Sequence, residues 1–194
     1  EMMSYGIVQL INTENIDVTV DLHEASPEYP VINALIAHER AMNLASNVVV
    51  DMQMEGVQIS LEPSPTDLRG LTHRELGDHT DTLALLMEAP NPAQGRLRDR
   101  TDEALVLTGK SETYVKAGEI GQLYVPYDEN GWPIEVRCAR HVFGIERILA
   151  NYSEMYEEPI IVTGMPSYDE LVKNGMGPYL NEPCLLYTSD AADD

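Results

Sequence analysis

Alternating apolar and polar residues mark the first strand that the sequence predicts. Ile16, Val18 and Val20 alternate with polar neighbours, which is the period of a half-buried strand. The alternation stops at residues 21–24, and the Ala-Ser-Pro that follows cannot continue a strand. His23 is therefore expected at the carboxyl end of a strand, where open α/β sheets bind their ligands. Asp21 lies close enough in sequence to hold this imidazole in one tautomer.

A second strand is predicted by a continuous apolar run over Thr82–Met87, which is typical of a strand covered on both faces. Glu88 follows directly, and Pro90 and Pro92 prevent the strand from continuing. A carboxyl group in this position is partly desolvated, so its pKa is expected to rise towards a range useful for proton transfer. The alternative is a strand-end acid that points into water.

The rest of the pattern alternates helices and strands, which is typical of an α/β fold. Apolar spacing predicts helices at 31–46, 141–152 and 167–174, and strands at 47–50, 56–61 and 159–163. A hairpin is expected within residues 118–137, with its turn at 128–131.

Three further histidines lie on predicted helices or turns. His38 is expected to be a packed, hydrogen-bonded core residue rather than a ligand. The spacing of Thr72 and Glu75 is that of a capping box, which predicts a short helical turn ending by Gly77. His73 and His79 fit no metal-ligand spacing and are expected at the surface.

Composition restricts the class of partner. A chain of 194 residues with 43% hydrophobic content is long enough for one domain with a sizeable core. The formal net charge of −21 argues against nucleic acid or an anionic membrane as a partner. The sequence contains no apolar run of about 18 residues that could span a bilayer, and no phosphate-binding glycine loop or nucleophile-elbow motif.

Both ends of the chain suggest a gene fragment. The chain opens on Glu1 without a signal peptide or a start region, and residues 184–194 resemble a translated sequencing adapter. We therefore expect one partial domain over 1–183, followed by a non-native tail. Without that tail Cys138 is the single cysteine, so no disulfide framework or cysteine zinc cluster is expected. A cytoplasmic location is favoured.

The two strand-end segments together resemble motifs of the succinylglutamate desuccinylase/aspartoacylase family, which is related to the zinc carboxypeptidases. The Asp-Leu-His segment ending at His23 resembles the one that supplies the third zinc ligand, and residues 88–98 resemble the one that supplies the catalytic glutamate. Pro90 and Pro92 lie one residue away from the usual proline spacing. The resemblance spans about residues 15–100, and more loosely 141–152.

This resemblance implies an α/β fold of the zinc carboxypeptidase type, with a mixed, mostly parallel sheet and helices on both faces. It would be incomplete at the N-terminus. The residue pattern adds an expected hairpin insertion at about 108–137. The implied reaction is the hydrolysis of an amide bond with one Zn²⁺ ion, which His23 helps to bind. Glu88 would take a proton from the metal-bound water and deliver it to the leaving amine.

The implied substrate is a small acidic or peptide-like amide, cleaved by N-acyl amino acid deacylation. Arg74, Arg96 and Arg98 are the candidates for binding substrate and stabilising the oxyanion. One alternative is a metallocarboxypeptidase that acts on peptides. Another is a non-enzymatic α/β module that binds carbohydrate or protein, in which His23 and Glu88 have no joint role.

One element of the family pattern is absent from the sequence. The family takes its first two zinc ligands from a His-x-x-Glu pair, and none of the five histidines is followed by Glu at the third position. We expect these two ligands upstream of residue 1. The chain would then carry half an active site, with weak or no zinc binding and no turnover alone. Loss of upstream strands would also expose a sheet edge.

Overall fold

The computed structural model describes residues 2–98 and 103–180, so the predicted tail at 184–194 lies outside the described residues. The strands are β1 (Val18–Ala25), β2 (Ala34–Ala37), β3 (Ser60–Pro63) and β4 (Leu83–Pro90). The described helices are α1 (Met2–Glu14), α2 (Met42–Met54), α3 (Thr72–His79), α4 (Glu103–Thr108), α5 (Glu112–Glu119), α6 (Ile134–Tyr156) and α7 (Tyr168–Asn174). None of them combines the length and hydropathy needed to cross a bilayer.

The strands form one sheet in the order β1-β4-β2-β3. β1 pairs with β4 in parallel and β2 pairs with β3 in parallel, whereas β2 and β4 are antiparallel. The predicted α/β class with a mixed sheet is confirmed. β1 forms one edge of this sheet, and its register places His23 opposite Glu88.

One face of the sheet carries the main hydrophobic core. Leu35 of β2 and Leu85 and Met87 of β4 are buried against α2 and α6. Each fully buried aliphatic side chain of this kind stabilises the fold by about 1.5–3 kcal/mol. Gly144 lets α6 approach β4 closely, because a Cβ at this position would lie 2.2 Å from the Met87 Cε atom.

The opposite face carries the polar side chains of interest. Side chains alternate between the two faces along a strand, so Asp21 and His23 of β1 share this face with Leu86 and Glu88 of β4. Ile36 of β2 lies beside them. Helix α3 lies over this face and encloses a cavity with the sheet.

Two predicted elements at residues 31–50 differ from the structure. The predicted helix at 31–46 is replaced by β2 at Ala34–Ala37 and by α2, which begins at Met42. All four residues of β2 are buried, and a short apolar run covered on both faces cannot be told from a buried helix by periodicity. The predicted strand at 47–50 lies within α2, where packing against the sheet overrides the strand preference of valine.

The predicted hairpin at 118–137 is wrong, and so is the predicted strand at 159–163. The first segment contains the end of α5, an irregular loop and the start of α6, and the second forms no strand. The turn at 128–131 is present, since the Gly131 N–H donates to the Asp128 carbonyl at 3.0 Å. Pro126 and Pro133 flank that turn without N–H groups to donate, which prevents a regular ladder.

The two C-terminal helices were predicted correctly. α6 contains the predicted 141–152 helix and is longer at both ends. α7 begins after Ser167, which forms a capping box with Glu170, and Gly175 follows its last residue with a φ of 72°.

Gly109 allows a test of the loop that replaces the predicted hairpin. Its φ is +60°, and a Cβ would lie 2.0 Å from the Trp132 carbonyl oxygen. We expect Gly109→Ala to lower the free energy of unfolding by about 2–4 kcal/mol, because strain and steric overlap add. Urea denaturation measures this difference.

Gly121→Ala is the matched control for that substitution. Its φ is +71°, but apart from its chain neighbours no atom of the described residues lies within 4 Å of a Cβ built there, so only backbone strain of about 1–2 kcal/mol is expected. Equal losses in the two variants would contradict the close packing of Gly109 against Trp132.

Candidate functional site

His23 and Glu88 converge at one end of the β1–β4 pair. They are register partners on adjacent parallel strands, and the His23 Nδ1 atom lies 3.8 Å from Glu88 Oε1. This separation exceeds a direct hydrogen bond but leaves both groups able to contact one small ligand. The two side chains therefore open into one site, and their chemical roles stay predictions.

Asp21 orients the His23 imidazole. β1 continues through Ala25 instead of stopping at residues 21–24, so Asp21 and His23 lie two residues apart on the same face. Asp21 Oδ2 is 3.2 Å from His23 Nε2 and also accepts a hydrogen bond from the Thr72 hydroxyl of α3. If the imidazole donates its Nε2–H to Asp21, it is the tautomer protonated at Nε2. The lone pair on Nδ1 then faces Glu88.

The Glu88 carboxyl is desolvated, as the sequence predicts. Burial raises its pKa to about 7, the nearby Asp21 and Glu24 charges act in the same direction, and His23 opposes them. Its Oε2 atom is buried and has no hydrogen-bond partner among the described residues. A carboxyl group with this pKa exchanges protons near neutral pH, which is the property that a general acid or base needs.

His73 is buried, so its prediction as a surface residue is wrong. It is 4% exposed, and neither ring nitrogen has a hydrogen-bond partner among the described residues. Burial lowers its pKa to about 4, so the imidazole is neutral at pH 7. The polar sequence of α3 hides this burial. The sequence signal for this burial is the i, i+4 pair of His73 and Gly77, which both face inward.

His79, at the end of the same helix, is exposed as predicted, and its Nε2 lies 3.3 Å from Glu75 Oε2. The capping box predicted for α3 does not form. Leu71 precedes the helix without a side-chain cap, and Glu75 instead accepts a hydrogen bond from the Gly70 N–H. The helix begins at Thr72, where the prediction has it begin, but it continues through His79, two residues beyond the predicted end at Gly77.

A cavity of about 350 Å³ lies between α3 and the polar face of the sheet. The polar part of its lining comes from His23, Tyr29, Glu62, Thr72, His73 and Glu88. The apolar part includes Val31, Ile36, Pro63, Leu68, Leu71 and Leu86. A mostly apolar cavity with a few converging polar groups is the usual form of a small-molecule site.

The three predicted substrate-binding arginines do not line this cavity. Arg74 follows His73 by one helical position, about 100° around the axis, so it points elsewhere. Arg96 lies at a separate surface depression beside Glu28, and Arg98 donates to the carbonyl of Gly95. The structure therefore does not bring these arginines together with His23 and Glu88.

Arg74 is instead the buried member of an ion-pair network whose carboxylates reach the surface. Its guanidinium donates to Glu39 at 2.6 and 2.9 Å and to Asp78 at 2.7 Å. His38 is buried beside this network, with Nε2 3.2 Å from Asp78 Oδ1. His38 is therefore the packed, hydrogen-bonded residue that the sequence predicts.

This network should make the stability of the chain sensitive to acid. Hydrogen bonding to Arg74 lowers the pKa of Glu39 from 4.5 to about 2 and also lowers the pKa of Asp78. A lowered native pKa gives stability that is present above pH 4.5 and is lost as the pH falls towards 2. We expect the acid-induced loss to be shallower in Arg74→Met, as measured by urea denaturation between pH 2.5 and 6. The control Arg96→Met should retain the wild-type slope.

The donor groups at this site do not by themselves form a zinc site. Within residues 2–98 and 103–180, no group of three or more His, Cys, Asp or Glu side chains is placed to hold a metal ion. A catalytic zinc requires three protein ligands, and His23 offers one nitrogen. The described residues could therefore supply one zinc ligand, His23, beside an acid–base group, Glu88, but not a complete catalytic zinc site.

Comparisons of the chain with protein-family models, curated proteins and solved structures found no match. A functional proposal therefore depends on the geometry of this cavity and on the two sequence motifs. The geometry contributes an oriented imidazole, a carboxyl group of raised pKa and an unpartnered buried imidazole.

Proposed function

We propose that this chain is the part of a zinc-dependent amide hydrolase that carries one metal-binding imidazole, His23, and the acid–base carboxyl, Glu88. The proposed reaction is N-acyl amino acid deacylation of the succinylglutamate desuccinylase/aspartoacylase type, on a zinc carboxypeptidase-like fold. The observation that supports it is the 3.8 Å approach of His23 Nδ1 to Glu88 Oε1, at the strand ends where the motifs place them.

Each residue at the site has a role in this proposal that its surroundings support. Asp21 orients the imidazole, so that one ring nitrogen is directed at the position shared with Glu88. Glu88 accepts a proton from the attacking water and returns it to the leaving amine, because its pKa lies near neutral pH. A bound zinc would lower the pKa of that water to about 7.

The proposal requires groups that the described residues do not supply. Two further zinc ligands are needed, and the resemblance assigns them to a His-x-x-Glu pair upstream of residue 1. A cation for the oxyanion is also needed, and Arg74, Arg96 and Arg98 do not line the cavity. The parent protein is proposed to be active, and this chain alone to be inactive.

Extension of the reading frame upstream tests the proposal. The extended protein, loaded with zinc, should release amino acid from N-acyl amino acids, and removal of zinc by a chelator should abolish this activity. Peptide substrates in the same assay distinguish a metallocarboxypeptidase, which would instead release the C-terminal residue. An extended frame without His-x-x-Glu, or a zinc-loaded protein that cleaves neither substrate, would overturn the proposal and favour a binding module.

A further inference from the structure

The cavity under α3 contains polar atoms that the described residues leave without partners. His73 is 4% exposed and lines the cavity, and both of its ring nitrogens lack a hydrogen-bond partner among the described residues. Glu88 Oε2 is buried at the same cavity and lacks one as well. Buried polar groups in folded proteins almost always have partners, so these atoms point to a ligand with complementary polar groups.

The imidazole of His73 restricts the chemistry of that ligand. A neutral imidazole offers one N–H donor and one nitrogen acceptor. An amide can pair with either ring nitrogen, through its carbonyl oxygen or through its N–H group, whereas a carboxylate has only acceptors and can pair only with the imidazole N–H. The apolar lining by Ile36, Leu71 and Leu86 favours an aliphatic chain attached to this amide.

The charges around the cavity restrict the ligand further. No Lys or Arg is among the described residues of the lining, whereas Glu62 and Glu88 are. Arg74, the residue after His73, is held outside by Glu39 and Asp78. A negative charge on the ligand would therefore be desolvated beside acidic groups without a cation to pair with it.

We propose that this cavity binds an uncharged aliphatic amide, with its alkyl chain against the apolar wall and its amide hydrogen-bonded to His73. The identification of this ligand with a substrate rests on the proposed function. In that case the acyl group of the substrate is a monocarboxylic aliphatic one. A dicarboxylic acyl group such as succinyl would place its second carboxylate in a cavity whose described lining includes no Lys or Arg.

Binding of hexanamide to the full chain, without added metal, tests this inference. Isothermal titration calorimetry at pH 8 should show saturable binding of hexanamide, and at least tenfold weaker binding of hexanoate and succinamate. His73→Leu keeps the apolar volume and removes both ring nitrogens, so it should weaken hexanamide binding at least tenfold. His79→Leu, on the exposed end of the same helix, should bind as the wild type does.

Three results would overturn the inference: no binding of hexanamide to the folded chain, unchanged binding in His73→Leu, or equal binding of succinamate. If His73→Leu does not fold, Leu68→Trp replaces it, because Leu68 is half exposed at the cavity and a larger side chain there narrows the entrance. Leu68→Trp should then weaken hexanamide binding, and unchanged binding would contradict the assignment. The calorimetry measures binding without metal, whereas the hydrolase assay measures cleavage with zinc. A failure of one test is therefore distinguishable from a failure of the other.

Discussion

Glu88→Gln is expected to lower kcat of the zinc-loaded, upstream-extended protein by about 10²–10⁴-fold, which is the usual contribution of a general acid–base group. Glutamine preserves the size of the side chain but cannot accept the proton of the attacking water. Zinc content should not change, because Glu88 is proposed as the proton carrier and not as a ligand. Steady-state kinetics and metal analysis on the same preparations measure both quantities.

Glu62→Gln is the matched control for this substitution. Glu62 lines the same cavity but belongs to β3. Strand β2 lies between β3 and β4, so Glu62 is further than Glu88 from His23 on β1. Its replacement should change kcat much less than the replacement of Glu88. Equal losses in the two variants, or an active Glu88→Gln enzyme, would remove Glu88 from the proposed chemistry.

Glu88→Gln should also stabilise the 194-residue chain without any upstream extension, and it should do so at alkaline pH. Burial raises the native pKa of Glu88 from 4.5 to about 7, so its contribution to stability is present below pH 4.5 and is lost as the pH rises through about 7. At 1.36 kcal/mol per pKa unit, the variant gains up to about 3 kcal/mol of unfolding free energy at pH 8 relative to wild type. At pH 4 the gain should vanish.

Urea denaturation at pH 4, 6 and 8 measures this difference. Glu55→Gln, at an exposed position after α2, should show no such pH-dependent gain. A gain for Glu88→Gln that is the same at pH 4 and pH 8 would contradict the desolvation of this carboxyl. This test requires neither zinc nor the upstream residues.

The sequence predicted the elements whose local pattern and tertiary environment agree. β4 is an apolar run of strand length between turn residues, and it is covered on both faces. α7 has a complete set of end signals, with Ser167 and Glu170 before it and Gly175 after it. In both cases the side chains that define the element also determine how it packs, so the pattern is sufficient.

The pattern failed where tertiary packing decides the outcome. β2 is a strand because it inserts between β3 and β4, and four buried residues carry no period of their own. Val48 and Val49 are helical because α2 buries them against the sheet, whereas Val50 is exposed on the same helix. Differences in helix propensity amount to some tenths of a kcal/mol per residue. This is less than the free energy gained by burying one valine side chain.

The candidate site could likewise be predicted from the sequence only in part. The positions of His23 and Glu88 near the carboxyl ends of their strands could be predicted, because an alternating or apolar run leads up to each residue. Each strand continues two residues further, β1 to Ala25 and β4 to Pro90. Their proximity followed only from the family resemblance, because it depends on a parallel register between strands that are distant in sequence, which no local pattern specifies. The burial of His73 was missed because a helix rich in charged residues does not show which face a sheet will cover.

The central claim is that His23 and Glu88 serve one metal-bound water. Anomalous X-ray diffraction at the zinc edge, from crystals of the upstream-extended protein, tests it most directly. We predict one zinc ion bonded to His23, with the carboxyl group of Glu88 within hydrogen-bond reach of the water on that ion. A zinc ion coordinated by three other side chains, with His23 and Glu88 remote from it, would contradict the account.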